Sequence, residues 1–210
     1  MSDTPADTPM FPLGSVLLPT MVLPLHVFEP RYRAMMRRCV DGGEQFGVTL
    51  IERGHEVGGG DVRSDVGCMA QVLAHDELPD GRWRVVTVGT SRIRVDRWLT
   101  DDPYPRALTT PWPDPSSDGQ AVELMVMAEI VVRDLLELAR VKGLATATPD
   151  IEMSDEPVEF SYQASAVMPL GPFDRYRLLT ADGASQRLGL LMDMAVDARV
   201  VLEEGGGEVR

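Results

Sequence analysis

The stretch Leu23-Pro24-Leu25-His26-Val27-Phe28-Glu29-Pro30-Arg31-Tyr32 decides the fold of this chain. Its first half is apolar but contains Pro24, which has no N–H to give to a ladder. That combination predicts a strand at the edge of a sheet. Its second half turns to helix. Pro30 has the fixed φ of a first helical turn, and Glu29 just before it favours the positive end of the helix dipole. Tyr32, Met35, Met36 and Cys39 then recur at helical spacing, and Gly42-Gly43 supplies the stop. One short helix embedded among strand signals predicts a mixed α+β architecture.

Working outward, Phe11-Pro12-Leu13 and Val16-Leu17-Leu18-Pro19 are apolar runs broken by proline and glycine, which read as edge strands and turns. Residues 1–9 are polar, acidic and proline-spaced, and are expected to form a flexible tail. Downstream, Phe46–Ile51 is a strand by composition. Arg53–Asp65, with Gly54 and Gly58-Gly59-Gly60, reads as a flexible loop, and Val66–Leu73 as a strand. Pro79-Asp80-Gly81 is a turn signal. Arg82–Val88 alternates like a half-buried strand, Gly89-Thr90-Ser91 is expected to turn the chain, and Arg92–Asp96 alternates again. Pro105–Thr109 completes a β-rich lobe over residues 10–112, a small barrel or sandwich.

Pro111-Trp112-Pro113-Asp114-Pro115-Ser116-Ser117-Asp118-Gly119 breaks the composition and reads as a linker. A helical lobe follows over residues 118–202. Ser117 and Gln120 have capping-box spacing. Leu124, Met127, Val131, Leu135 and Leu138 form an apolar stripe that ends at Gly143. Pro157 opens a helix over Val158–Met168, and Pro172 a short one over Phe173–Thr180. A fourth, capped by Asp182 or Ser185, carries Leu188, Leu191, Met192, Ala195 and Val196. Four amphipathic helices pack as a bundle. Residues 203–210, rich in Gly and Glu, read as a second flexible tail.

Composition removes several functional classes. A chain of 210 residues with 44% apolar content buries a real core. The formal charge of −13 repels phosphate backbones, so nucleic acid is not an expected partner. The one basic concentration, Arg31, Arg33, Arg37 and Arg38, reads as a solvated helix face, with docking of an acidic partner or RNA as the sharper alternative. Val122–Val141 is interrupted by charges throughout, and the N-terminus lacks a basic start and apolar stretch. Neither a membrane span nor a secretory signal is expected, which points to a cytoplasmic protein. Lys142, the single lysine, precedes Gly143, so no GxxxxGK[ST] loop exists. There is no GxSxG elbow. His26, His55, His75, Cys39 and Cys68 show no CxxC or HxxxH spacing, so no metal and no other cofactor is expected, and the two cysteines read as reduced, partly buried thiols.

The order of motifs resembles the N-terminal domain family of Lon proteases. Phe11-Pro12-Leu13, Leu18-Pro19 and the Leu23–Tyr32 stretch resemble its opening signature. Phe46-Gly47-Val48 with Asp65-Val66-Gly67-Cys68-Met69-Ala70 resembles its next element. Asp80-Gly81-Arg82 through Val88-Gly89-Thr90-Ser91-Arg92-Ile93-Arg94-Val95, and then Leu178-Leu179 with Gln186-Arg187-Leu188, resemble the later ones. The match spans about residues 10–200, and departs from the family at His26, where an apolar or small polar residue is more usual. The resemblance implies a PUA-like pseudo-barrel followed by a helical bundle. It implies a stand-alone, non-catalytic module that captures unfolded or exposed apolar polypeptide segments, with self-association as a further partner class, since the ATPase and Ser–Lys peptidase regions of full-length Lon are not in this sequence. The alternative is a small-molecule binder or an enzyme that reuses the same fold.

Within these blocks, Pro24, Phe28, Glu29, Arg31, Tyr32, Gly89 and Arg92 read as structural. Glu29 is expected to pair with Arg31 or Arg92 at a partly buried strand–helix junction. Twelve methionines are many for this length. Most belong to the core, but methionine also makes adaptable surfaces for varied apolar partners, so Met35, Met36, Met168 and Met192 are candidates for polypeptide binding.

Overall fold

The computed structural model describes residues 5–54, 60–144 and 147–204. The chain divides into two compact units, Met1–Pro113 and Asp114–Arg210. In the first, β1 (Ala6–Leu13) runs parallel to β3 (Phe46–Arg53), and the connection between them holds β2 (Val22–Val27) and α1 (Pro30–Gly42). The long strands β4 (Val62–Glu77) and β5 (Trp83–Trp98) form an antiparallel hairpin on β3, and β6 (Arg106–Pro111) follows. The order is β2-β5-β4-β3-β1-β6, with β6 also pairing to β5. The β5–β6 pairing turns five strands into a closed ring, β5-β4-β3-β1-β6, while β2 hangs on β5 outside it. Closure satisfies the edges that an open sheet would leave bare.

Inside the first unit, Phe11, Leu17, Val27, Tyr32, Met35, Met36, Phe46 and Trp83 form the main core. The rings of Phe11 and Tyr32 meet edge-on at 4.2 Å. Each such side chain contributes ~1.5–3 kcal/mol when fully withdrawn from water. The helical spacing of Tyr32, Met35, Met36 and Cys39 places all four on the buried face of α1. Gly43 ends that helix at φ 63°, a left-handed conformation that glycine adopts without penalty.

The second unit is helical: α2 (Gly119–Val141), α3 (Pro157–Val167), α4 (Pro172–Leu179) and α5 (Ala184–Glu203). Val132, Leu135, Leu136, Phe160, Met168, Leu178, Leu188 and Leu191 form its core. Pro157 and Pro172 open α3 and α4 at the first turn, where the missing N–H costs nothing.

Several expectations are corrected. Residues 6–9 are not a tail: Ala6–Pro9 pair with Arg106–Thr109, and the buried hydroxyls of Thr8 and Thr109 are hydrogen-bonded at 2.7 Å. At the other end, Glu203 belongs to α5 and Leu202 is buried. Residues 1–4 and 205–210 of the two expected tails, like His55, Gly58 and Gly59 of the expected loop, lie outside the described residues. Gly89-Thr90-Ser91 does not turn the chain, because β5 runs unbroken from Trp83 to Trp98. Gly89 is there for close approach: a Cβ on it would lie 2.1 Å from the Leu18 carbonyl oxygen. The cap of α2 is Asp118, whose carboxylate accepts from Ala121 N at 2.8 Å, whereas Ser117 bonds to Glu156. The one-residue shift favours the charged cap over the neutral one at the positive helix end. Neither Asp182 nor Ser185 caps α5; Gly183 stands at that position.

Candidate functional site

Among the described residues β2 is the end of the strand order, hydrogen-bonded to β5 on one side only. Pro24 lies in its middle, where an edge strand tolerates the missing donor. Strand pairing sets which side chains share a face. Val22, Pro24 and His26 of β2 lie opposite Val88, Val86 and Arg84 of β5, and these lie opposite Gln71, Ala74 and Asp76 of β4. All nine belong to the outward face, opposite the Val27, Trp83 and Val85 side chains that enter the core.

An outward face should be polar, and this one is not. Val22, Pro24, Ala74 and Val86 are exposed along it. A register shift in β4 between Val72 and Ala74 turns out Leu73, which is 58% exposed. Pro24, His26, Ala74, Asp76, Arg84 and Val86 are among the residues that line a concave groove of about 560 Å³ there. At one end Arg84 donates to Asp76 at 2.7 Å, which leaves the groove itself without an unbalanced charge from that pair. A smaller cavity of about 160 Å³ opens beside β2 between Leu13, Val27, Phe28, Glu29 and Tyr32, and Phe28 is half exposed.

The residues singled out from the sequence divide into two groups. Pro24 and Phe28 border the groove and the cavity. Glu29, Arg31 and Tyr32 instead tie α1 to its strand. Arg31 Nε donates to Glu29 Oε2 at 3.1 Å, and the Arg31 guanidinium lies 4.5 Å from the Tyr32 ring centre. Of the two arginines proposed for Glu29, Arg31 is the one that reaches it. Arg92 is 2% exposed and stacks at 4.1 Å on Trp112. Burial pushes the Tyr32 phenol well above its ordinary range.

Met35, Met36 and Met168 are wholly buried, which corrects their placement on a binding surface. Met35 and Met36 lie on the buried face of α1, and Met168, the C-cap of α3, packs into the helical core. Met192 is partly buried against the helical core. Two further arginines of α1 are engaged with the chain's own acids: Arg37 with Glu77 at 2.6 Å, and Arg38 with Glu44 at 2.9 Å. His26 and His75 stand beside aromatic rings, 6.2 Å from Phe28 and 5.7 Å from Trp83. Cys39 and Cys68 are buried thiols, and the described residues hold no cluster of three or more His, Cys, Asp or Glu suited to a metal ion. No described helix is long and apolar enough to cross a membrane.

Sequence reading missed Val22, Leu73 and Val86. A signal for Val86 was present. In Arg82–Val88 the outward positions 84, 86 and 88 read Arg, Val, Val, so the alternation fails where the groove lies.

Residues 7–197 match the family model described as the ATP-dependent protease La (LON) substrate-binding domain. The chain is 25% identical over 200 residues to a Lon protease of Brevibacillus choshinensis, covering 94% of this chain and 26% of that protein. It is 22% identical to a LON peptidase N-terminal domain and RING finger protein of Schizosaccharomyces pombe, covering 88% of this chain and 44% of that protein. The chain therefore spans between about a quarter and less than half of these curated relatives. Among solved structures, a Lon N-terminal domain protein from Xanthomonas campestris aligns with a TM-score of 0.64 at 28% identity, covering 90% of this chain and 98% of that one. The N-terminal domain of a Mycobacterium avium complex Lon protease aligns at 0.68 with 16% identity, covering 91% of this chain and 99% of that one, a likeness of fold.

Proposed function

The chain belongs to the Lon substrate-binding domain family, and from that premise we propose that it is a non-catalytic module that binds unfolded or exposed apolar polypeptide segments, as a holdase or adaptor. The observation that carries the reading is the apolar outward face of β2, β5 and β4, bordered by the open edge of β2. An extended client segment can add its backbone to that edge while its apolar side chains lie over Pro24, Leu73, Ala74 and Val86.

The energetics suit transient capture. Each apolar side chain withdrawn from water contributes ~1.5–3 kcal/mol before association costs. A few such contacts give micromolar affinity, tolerant of client sequence. The net charge of −13 keeps the module soluble and disfavours nucleic acid, and the ion pairs of Arg31, Arg37 and Arg38 offset most of the one basic stretch. The reading requires no nucleotide and no cofactor.

The test is titration of a labelled, reduced and permanently unfolded chain, followed by anisotropy, together with light scattering of a heat-denatured client. Saturable binding without ATP, suppression of scattering, and no turnover of ester, peptide or nucleotide are the expected results. Unchanged scattering with no binding at high micromolar concentration defeats the reading, and turnover lost on mutating a groove residue replaces it with an enzyme.

A further inference from the structure

α2 exposes Val122, Val126, Met127 and Ile130 on one side, Ile130 at 61%. Positions i, i+4, i+5 and i+8 form a stripe where a solvent-facing helix carries polar groups. α5 packs along α2 and runs parallel to it. Ser185 Oγ donates to Asp118 Oδ1 near the two N-terminal ends, at 2.9 Å. Further along, the Arg199 guanidinium, held charged first by its hydrogen bond to Glu203, also feels the Asp134 carboxylate across the helix pair. This register brings Ile130 level with Val196, which is exposed, as is Val200 one turn on.

The rim of this face is acidic. Glu123 of α2 and Asp193 and Asp197 of α5 are exposed. Arg133, Arg140 and Arg199 are each already paired with an acid on their own helix: Glu129, Glu137 and Glu203. Apolar stripe and acidic rim together define one kind of occupant. We propose that the α2–α5 face docks a cationic amphipathic helix of a partner protein, its apolar side chains on Val126, Ile130 and Val196 and its Lys or Arg residues over Glu123, Asp193 and Asp197. Charge selects against the other occupants, since a second copy would set these same acids against one another and an anionic lipid surface would be repelled in the same way. The site lies in the helical unit and does not depend on the groove of the first.

The test uses the full chain and a synthetic leucine–lysine amphipathic helix, with a leucine–glutamate helix of identical apolar pattern as its partner probe. Calorimetric titration should give micromolar binding of the lysine peptide and at least roughly tenfold weaker binding of the glutamate peptide. Val126→Ser with Ile130→Ser should weaken the lysine peptide about tenfold at unchanged thermal stability. Asp193→Asn with Asp197→Asn should flatten its salt dependence. Equal binding of both peptides, or indifference to either pair of substitutions, overturns the proposal. So does a dimer in sedimentation that Val126→Ser with Ile130→Ser dissolves, because the face would then belong to a second copy. Val86→Asp removes any share of peptide binding that belongs to the groove; in that background Val126→Ser with Ile130→Ser should still weaken the lysine peptide about tenfold, and indifference there overturns the proposal.

Discussion

Arg187 Nη2 donates to Asp114 Oδ1 at 2.6 Å, joining α5 to the first residue of the helical unit. The arginine is wholly buried, and its other donors reach the Leu178 carbonyl and the hydroxyls of Ser161 and Tyr162. The Tyr162 hydroxyl in turn donates to Asp114 Oδ2. Breaking a buried pair on one side costs roughly 3–5 kcal/mol. Arg187→Met should therefore lower the unfolding free energy of the helical unit by that amount in chemical denaturation. A loss under about 1 kcal/mol would show that the network contributes orientation and not stability.

Gly89→Ala should destabilise the first unit. The added Cβ meets the backbone oxygen of Leu18 at 2.1 Å and the Cys68 Sγ at 3.1 Å. Gly89 is also bonded on both sides of its peptide, from Thr20 N and to Met21 O. Neither backbone can retreat, so a cost of about 1–3 kcal/mol or more is expected in thermal unfolding.

Glu29→Gln should cost only about 1 kcal/mol. The Glu29 and Arg31 side chains are 17% and 18% exposed, so water screens the pair and can solvate the remaining arginine. A loss above 3 kcal/mol would place the pair among buried ones.

Leu73→Asp and Val86→Asp should each weaken capture of an unfolded chain several-fold, and in combination should abolish it. Both side chains are exposed, so thermal stability should move by no more than about 0.5 kcal/mol. Intact binding in the double variant would remove the outward face of β2, β5 and β4 from the mechanism.

Burial pushes the Cys39 thiol up to about 11 and the Cys68 thiol up to about 12. Near neutral pH both therefore stay protonated and unreactive. Native protein should resist alkylation, and both thiols should react together as denaturant unfolds the first unit. Fast labelling of either in native buffer would contradict the core packing.

Much of the fold was legible because its signals are local. Pro30, the spacing of Tyr32, Met35, Met36 and Cys39, and Gly43 define α1 without reference to anything else in the chain. Pro157 and Pro172 do the same for α3 and α4. What stayed hidden depends on distant partners. Asp7 and Thr8 look like tail residues until Leu108 and Ala107 are seen to pair with them. Gly89 looks like a turn until the Leu18 carbonyl is found beside it. The groove is the same kind of case, since the surface formed by Pro24, Ala74 and Val86 exists only once three strands are in register. Met35 and Met36 misled for the opposite reason, because residue type indicates that a side chain is adaptable but not which way its helix faces.

The ring of strands also sets a timetable for synthesis. β1 takes its partners from β3 and from β6, and β6 ends only at Pro111. A ribosome delivers β1 long before it delivers β6, so one edge of β1 stays unsatisfied while about a hundred further residues are made. During that interval the backbone groups of Ala6–Pro9 that β6 will pair stay bare, and Asp7 and Pro9 are the residues there that blunt such an edge. Pairings of such long sequence separation also form slowly. A module proposed to bind the unfolded segments of other proteins therefore passes through an unpaired state of its own.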